Sequence, residues 1–345
     1  MLKKITIIFF LVVALAGCKK EYITNNYYTT QVDSVYTAAY YQTVLNSQPT
    51  ITSDIRPEYL KKGDTVGIFD ISNAVTQSDL ASGIAILESW GLNVIEADNL
   101  YLTDGRYAGT NEQRIAGFQN LIDNKSVKAL ISTRGGYGAV QIIPFIDFST
   151  FEKNPKWVVG YSDITALHIA LNNKAIETVH GPMVANFTDS ESVECLRKAL
   201  FGELEYYTQS RNSNSVNGTA TGRLVGGNLT LIYSTGGTIY DLNVKNSILL
   251  IEDTGEANYN IDRMLMNLKL SGKLDEIKGV IVGEFTNTTQ GDDKTIPEII
   301  AERLGDLNIP IVYGANIGHD TKNMSVYLGR TVTIDVDNDT QTVRF

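Results

Sequence analysis

The segment from Lys156 to Thr165 carries a hydroxyl in a place suited to nucleophilic catalysis. An apolar run ends at Gly160, Ser162 follows after one residue, and a helical pattern then begins. A serine at a strand-to-helix turn is accessible, and the N–H groups at the start of the helix can stabilise an oxyanion. The segment is not a G-x-S-x-G elbow. A plainer interpretation is that Ser162 or Asp163 caps the helix.

A glycine cluster, Thr133-Arg134-Gly135-Gly136-Tyr137-Gly138, follows a predicted strand at 127–133. Consecutive glycines allow backbone N–H groups to turn toward an anion. The cluster matches neither a P-loop nor the G-x-G-x-x-G pattern. Its functional interpretation is a glycine N–H that donates to an oxyanion, with Arg134 nearby. The alternative is a tight turn beside a surface arginine.

A catalytic serine needs a base, usually a histidine that a carboxylate orients. The chain has three histidines, His168, His180 and His319. His168 lies six residues after Ser162, about 240° around a helix, so it is predicted to be a packed helix residue. Periodicity does not choose between His180 and His319. The spacing of the three supports no metal site.

Two carboxylates, Glu252 and Asp253, follow the apolar run at 248–251 and are the candidates to orient the base. Acids at the end of a strand are often simply solvated. The two cysteines, Cys18 and Cys195, allow no disulfide framework. The net charge of −10 makes nucleic acid an unexpected partner.

The elements that must position these residues alternate between strands and helices. This alternation predicts an α/β fold with an open parallel sheet in the N-terminal half and a second α/β or α+β domain. Predicted strands cover 64–69, 92–96, 127–133, 157–160, 247–251, 279–284, 310–313 and 331–336. Predicted helices cover 80–90, 111–123, 140–146, 163–172, 228–234, 261–271 and 296–304.

The predicted domain boundaries follow from composition. Residues 56–200 form the domain with Ser162, and residues 223–345 form the domain with Glu252 and His319. Residues 201–222 are polar and lack a strong pattern, so they are predicted to be a link. We expect the active site in the cleft between the domains.

The N-terminus resembles a bacterial lipoprotein signal. Lys3 and Lys4 precede an apolar run too short to span a membrane comfortably, which ends in Leu15-Ala16-Gly17-Cys18. We therefore expect residues 1–18 to be an export signal with lipid on Cys18, and residues 19–55 to be a polar tether. The protein is then expected to be lipid-anchored in the cell envelope, at the outer membrane. The alternative is an ordinary secretory signal with an incidental cysteine.

Taken in order, the motifs resemble the LD-carboxypeptidase family of serine peptidases, the muramoyltetrapeptide carboxypeptidases. The similarity runs from about residue 60 to the C-terminus. The matching motifs are Lys62-Gly63-Asp64, Arg134-Gly135-Gly136-Tyr137-Gly138, Gly160-Tyr161-Ser162-Asp163-Ile164-Thr165, Gly181-Pro182-Met183, Gly226-Gly227-Asn228-Leu229, Ile251-Glu252-Asp253, Asp262-Arg263-Met264-Leu265 and Gly318-His319.

The resemblance implies a role for each matching residue. Ser162 would be the nucleophile, His319 the base, and Glu252 the group that orients His319. Backbone N–H groups of Gly136 and Asp163 would form the oxyanion hole. Substrate contacts are expected from the side chains of Arg134, Tyr137 and Asn228.

The resemblance also implies a reaction that needs no cofactor or metal. The expected substrate is a peptidoglycan tetrapeptide, from which the enzyme removes the terminal D-alanine through an acyl-enzyme. Family members are commonly homodimers. One departure is visible, because the family usually has a Pro-Ser pair after its first strand, where this chain has Phe69-Asp70-Ile71-Ser72-Asn73. Ser72 is the candidate replacement for the family serine.

Two alternative functions remain at the level of sequence. A branch of the same family resembles immunity peptidases that cleave a microcin-type peptide-nucleotide antibiotic. A solute-binding lipoprotein also pairs two α/β domains behind a lipid anchor. Such a protein has no need of a Ser162, Glu252 and His319 set.

Overall fold

The computed structural model of the protein describes residues 51, 54–291 and 293–345. The predicted signal segment with Cys18, and nearly all of the predicted tether, lie outside the described residues. Among the residues described, no helix has the length and apolar character needed to cross a membrane.

The first sheet collects strands from the N-terminal half. Its strands are β1 (Thr65–Phe69), β2 (Asn93–Glu96), β3 (Val127–Ser132), β4 (Trp157–Gly160) and β5 (Thr178–His180). The helices of this half are α1 (Gln77–Ser89), α2 (Asn111–Asp123), α3 (Ala139–Ile142), α4 (Ser149–Lys153), α5 (Thr165–Asn172) and α6 (Ser190–Phe201). These five strands run parallel in the order β5-β4-β3-β1-β2. Strands β4 and β5 are buried along their whole length, as expected for strands with helices on both faces of the sheet.

The second sheet is mixed. Its strands are β6 (Tyr206–Ser210), β7 (Gly218–Asn228), β8 (Ser247–Thr254), β9 (Gly279–Thr286), β10 (Ile311–Tyr313), β12 (Thr331–Val336) and β13 (Thr340–Arg344). The helices are α7 (Leu229–Thr235), α8 (Asn258–Leu270) and α9 (Ile296–Leu304). In the order β10-β9-β8-β7-β12-β13-β6, the first four strands are parallel and the rest pair antiparallel. The predicted α/β class is confirmed.

The stretch 201–222, predicted to be a link, contains β6 and the first part of β7. Burial alternates along β6, and hydroxyl side chains pair across the neighbouring strands, as between Thr221 and Thr333 at 2.8 Å. Polar residues therefore mark the solvent-facing side of an antiparallel sheet here, rather than a linker. Sequence reasoning missed these strands because it judged the stretch by composition alone.

Strand β11 (Val326–Leu328) joins the two halves. It lies between strands of the second sheet in the chain but pairs antiparallel with β5 at the edge of the first sheet. Tyr327 is fully buried there, and its hydroxyl donates to the carbonyl of Ala199 at 2.8 Å. The C-terminal half thus completes the core of the N-terminal half.

Candidate active site

Ser162 sits on a strained turn directly after β4. Its φ is 60°, in the left-handed region that non-glycine residues rarely adopt. The backbone then enters a short 3-10 turn, Ser162–Ile164, which leads into α5. A Cβ atom added to Gly135 would lie 3.1 Å from Ser162 Oγ, so the loop after β3 packs closely against this hydroxyl. Strain of this kind is often found where a side chain must be aimed for function.

The second half of the chain supplies a histidine and a carboxylate. His319 Nδ1 lies 2.6 Å from Oε2 of Glu252, which is buried at the end of β8. Burial raises the pKa of Glu252, and the hydrogen bond and charge of His319 act in the opposite direction. An ionised carboxylate only accepts, so in this pairing Nδ1 donates and Nε2 is left as the basic nitrogen.

Two glycines make room for this pair. Gly318 has a φ of 131°, and an added Cβ would lie 2.9 Å from Glu252 Oε2. On the neighbouring strand β9, a Cβ on Gly283 would meet the carbonyl oxygen of Ile317 at 2.3 Å. Both positions therefore need glycine for the loop before His319 to approach β8 so closely.

The other two histidines are placed in the core. His168 is buried in α5, with Nε2 2.9 Å from the Gly160 carbonyl oxygen, and burial lowers its pKa to about 4. His180 is buried in β5, and burial lowers its pKa well below the usual value. His168 is a packed helix residue, as predicted. Periodicity left the choice of base open between His180 and His319. Within the described chain, His319 is the one histidine of the three that contacts a carboxylate.

Ser162 and His319 line the same cavity, which has a volume of about 460 Å³. Gly135, Gly136 and Arg134 form another part of its wall. The cavity therefore opens at the carboxyl ends of β3 and β4, which is where open α/β sheets usually bind ligands. It draws residues from both halves of the chain, as the predicted position of the active site requires.

Of the two predicted oxyanion donors, Gly136 lines the same cavity as Ser162, and Asp163 follows Ser162 in the chain. Gly136 has a φ of 125°, and a Cβ there would come within 2.2 Å of the Asn73 side chain. Asp163 begins a helical turn, where N–H groups lack acceptors within the helix. The side chain of Asp163 accepts two hydrogen bonds through Oδ2, from Ser72 Oγ at 2.6 Å and from the Ala139 N–H at 2.8 Å.

The residues predicted to contact substrate divide into two groups. Arg134 is exposed and lines the cavity. Tyr137 is 44% exposed on the same loop but is not part of the cavity wall. Asn228 is buried, where it caps α7 and donates to Asp253 Oδ1 at 3.0 Å. The structure thus places Arg134 on the cavity wall, and it places Asn228 next to the buried acids Glu252 and Asp253.

Asp253, the second carboxylate candidate, accepts hydrogen bonds from Asn228 and Thr230 and does not pair with His319.

Two acids that sequence reasoning missed are close to the site. Asp79 lines the cavity, and Asp70 is buried behind it. In the sequence, Asp79 belongs to a helix capping box with Thr76, which indicates a helix start and not a binding site. Asp70 is a single acid after a buried strand, and this pattern does not indicate a function. Among the described residues, no three His, Cys, Asp or Glu side chains lie close enough together to hold a metal ion.

Comparisons with known proteins agree with this architecture. The model of the LD-carboxypeptidase N-terminal domain matches residues 66–181, and that of the C-terminal domain matches residues 221–334. A probable murein peptide carboxypeptidase of Bacillus subtilis is 34% identical over 299 residues, which cover 84% of this chain and 94% of the relative.

Two solved structures share the fold. The microcin C7 self-immunity protein MccF, known from Escherichia coli, aligns with a TM-score of 0.76 and 25% identity, over 84% of this chain and 98% of MccF. The muramoyltetrapeptide carboxypeptidase of Oxalobacter formigenes aligns with a TM-score of 0.73 and 24% identity, over 81% and 97% of the two chains. With its two domain models matched in order and a relative similar along nearly its whole length, this chain belongs to the LD-carboxypeptidase family.

Proposed function

We propose that this protein is a serine-type LD-carboxypeptidase that removes the terminal D-alanine from peptidoglycan tetrapeptides. The observation that carries the proposal is the 2.6 Å contact between His319 and buried Glu252, with His319 lining the same cavity as Ser162. A solute-binding protein has no need of this arrangement. The similarity to a relative named as a murein peptide carboxypeptidase supports the substrate.

In the proposed mechanism, Ser162 Oγ attacks the carbonyl carbon of the last peptide bond while His319 Nε2 takes its proton. Glu252 stabilises the imidazolium that forms. The Gly136 and Asp163 N–H groups donate to the oxyanion. His319 then passes the proton to the leaving amine, D-alanine departs, and water hydrolyses the acyl-enzyme by the same proton transfers in reverse.

Arg134 is the proposed partner of the substrate's terminal carboxylate. Its guanidinium lies on the cavity wall beside the glycines that face Ser162. A guanidinium can bind a carboxylate through two parallel hydrogen bonds, which fixes orientation as well as position. A carboxypeptidase needs such a group, because it must distinguish a chain end from an internal bond.

The test is mass spectrometry of a muropeptide tetrapeptide incubated with protein lacking residues 1–18, beside a Ser162→Ala variant. Release of one D-alanine by the parent and not by the variant is the expected result. Release by both would remove Ser162 as nucleophile. Release by neither would refute the tetrapeptide as substrate.

A second candidate is cleavage of a peptide-nucleotide antibiotic. The likeness to MccF favours it, since one MccF structure holds glutamyl sulfamoyl guanosine. A parallel reaction with a glutamyl sulfamoyl nucleoside distinguishes the two. Faster release of glutamate than of D-alanine would favour this second function.

We further propose that Cys18 carries lipid, which anchors the enzyme at the outer membrane, and that the protein is a homodimer. Labelling with an alkyne fatty acid should mark the full-length protein and not a Cys18→Ser variant. Cell fractionation then locates the labelled protein, and light scattering gives its oligomeric state.

A further inference from the structure

Asp70 is a fully buried carboxylate at the end of β1, in the segment where this chain departs from the usual family pattern. Its Oδ1 accepts a hydrogen bond from the Ser72 N–H at 2.9 Å. Its Oδ2 accepts one from Thr133 Oγ1 at 2.6 Å. Thr133 directly precedes the glycine loop, which we define as residues 134–138. Asp70 therefore links the end of β1 to the base of the loop that faces Ser162.

A second buried carboxylate extends the connection to the nucleophile. Ser72 Oγ donates to Asp163 Oδ2 at 2.6 Å, and the same oxygen accepts from the Ala139 N–H just after the glycine loop. The loops after β1, β3 and β4 are thus joined by hydrogen bonds between Asp70, Thr133, Ser72 and Asp163. Such a network fixes the distance between the glycine loop and the turn that carries Ser162.

Thr133 also connects to the cavity wall. Its carbonyl oxygen accepts from the N–H of Ala185, which also lines the cavity. A displacement of Thr133 would therefore move both the glycine loop and part of the wall. Misplacement by about 1 Å can reduce a rate on the order of 100-fold.

The charged groups that face Asp70 are Arg134 from the glycine loop and Arg114 from α2, with Asp163 beyond Ser72. Arg114 is buried and donates to the Ile71 carbonyl oxygen at 2.6 Å. Burial raises the pKa of Asp70 to about 7, while Thr133, Ser72 and the two arginines oppose this rise. The carboxylate therefore changes charge near neutral pH.

We propose that Asp70 is a positioning residue that, through Thr133, holds the glycine loop against Ser162 so that the Gly136 N–H meets the oxyanion. The role in catalysis rests on the proposed function. The position of the loop, however, can be measured without any substrate.

The experiment compares Asp70→Asn, Thr133→Val and Thr133→Ser with the wild type. Asp70→Asn and Thr133→Val should speed amide hydrogen exchange in residues 134–138. Thr133→Val removes the donor hydroxyl, and Asp70→Asn replaces one of the two acceptor oxygens by an NH₂ group, so the amide cannot accept from both Ser72 and Thr133 as the carboxylate does. Their kcat for D-alanine release should fall about 10- to 100-fold, with KM changed by less than about threefold. Thr133→Ser keeps the hydroxyl and should restore most of kcat and the slow exchange.

The matched control is Glu177→Gln. Glu177 is 1% exposed and accepts from Arg330 Nε at 2.8 Å, at the opposite end of β5 from the site. This variant should lose stability but keep slow exchange in residues 134–138 and a kcat within about twofold of the wild type. It separates positioning from the general cost of disturbing a buried carboxylate.

The pH profile gives a readout that simple destabilisation does not move. His319 acts as a base only when neutral, and Asp70 accepts both hydrogen bonds only when ionised. The acid limb of kcat against pH should therefore be shallower in Asp70→Asn than in the wild type.

Unchanged exchange in residues 134–138 in both Asp70→Asn and Thr133→Val would overturn the proposal, whether or not the wild type releases D-alanine. Absence of D-alanine release by the wild type would instead count against the proposed function alone.

Discussion

At the residue scale, environment decides which of several equivalent side chains can do chemistry. His168 and His180 are buried without a carboxylate, and burial lowers the pKa of each. His319 instead lies against Glu252. Among the neighbouring acids, Glu252 contacts the imidazole, whereas Asp253 is held by Asn228 and Thr230. Side chains of the same chemical class thus differ in what they can do because their contacts differ.

Replacing Glu252 with Gln should reduce kcat by about 10³- to 10⁴-fold, because an amide no longer stabilises the imidazolium or fixes its tautomer. The measurement is steady-state D-alanine release at saturating tetrapeptide. Glu284→Gln is the matched control, since burial also raises the pKa of this half-buried acid on β9. A loss as large in Glu284→Gln, or none in Glu252→Gln, would count against the assigned role of Glu252.

Asp70 should make stability depend on pH. Its pKa is raised from 3.8 to about 7, so between these values the folded state binds more protons than the unfolded state. The free energy of unfolding therefore falls as pH rises through this window, by up to a few kcal/mol (order of magnitude). Asp70→Asn lacks this titrating group. As the pH rises from 5 to about 8, its free energy of unfolding should therefore increase relative to that of the wild type. Urea unfolding at several pH values measures this, and parallel pH curves for the two proteins would contradict it.

At the element scale, the ends of parallel strands gather the site. β4 ends just before the turn with Ser162, β3 ends just before the glycine loop, and β8 carries Glu252 near its carboxyl end. Periodicity predicted β3, β4 and the start of β8 nearly as observed, because buried parallel strands are continuous apolar runs. It missed β6 and the start of β7, where polar residues face solvent on an antiparallel edge.

The backbone at Ser162 should cost stability that glycine recovers. With a φ of 60°, Ser162→Gly should be more stable than Ser162→Ala by about 1 kcal/mol, since glycine adopts this region without a Cβ penalty. Both variants should be inactive, so the comparison is made by chemical denaturation. Equal stabilities would show that this φ carries no strain.

At the scale of the whole molecule, the two halves share contacts that neither makes alone. Arg330 donates to Glu177 at 2.8 Å, and Tyr327 packs its ring 5.6 Å from that of Trp157. β11 supplies an edge strand to the sheet of the other half. The described residues accordingly form one compact unit, despite two sheets and two matched domain models.

This interlocking predicts a single cooperative unfolding transition. Scanning calorimetry of the protein lacking residues 1–18 should show one peak, with calorimetric and van't Hoff enthalpies in agreement. A fragment of residues 56–200, without β11, should bind a hydrophobic dye because the site of Tyr327 is left open. Two separate transitions, or a well-folded fragment, would show that the halves are independent.

The α/β class, the main strands and helices, and the family could all be predicted from the sequence, because burial periodicity and ordered short motifs are local properties of the chain. The sequence also marked Ser162 and the glycine loop. Only the tertiary structure placed His319 and Glu252 together, since they are 67 residues apart and lie on different elements. The buried connection of Asp70 to Thr133 was likewise beyond sequence reasoning, because hydrogen bonds between distant loops leave no periodic signal. Contacts of this kind depend on how the strands are ordered in space, which the spacing of residues along the chain does not record.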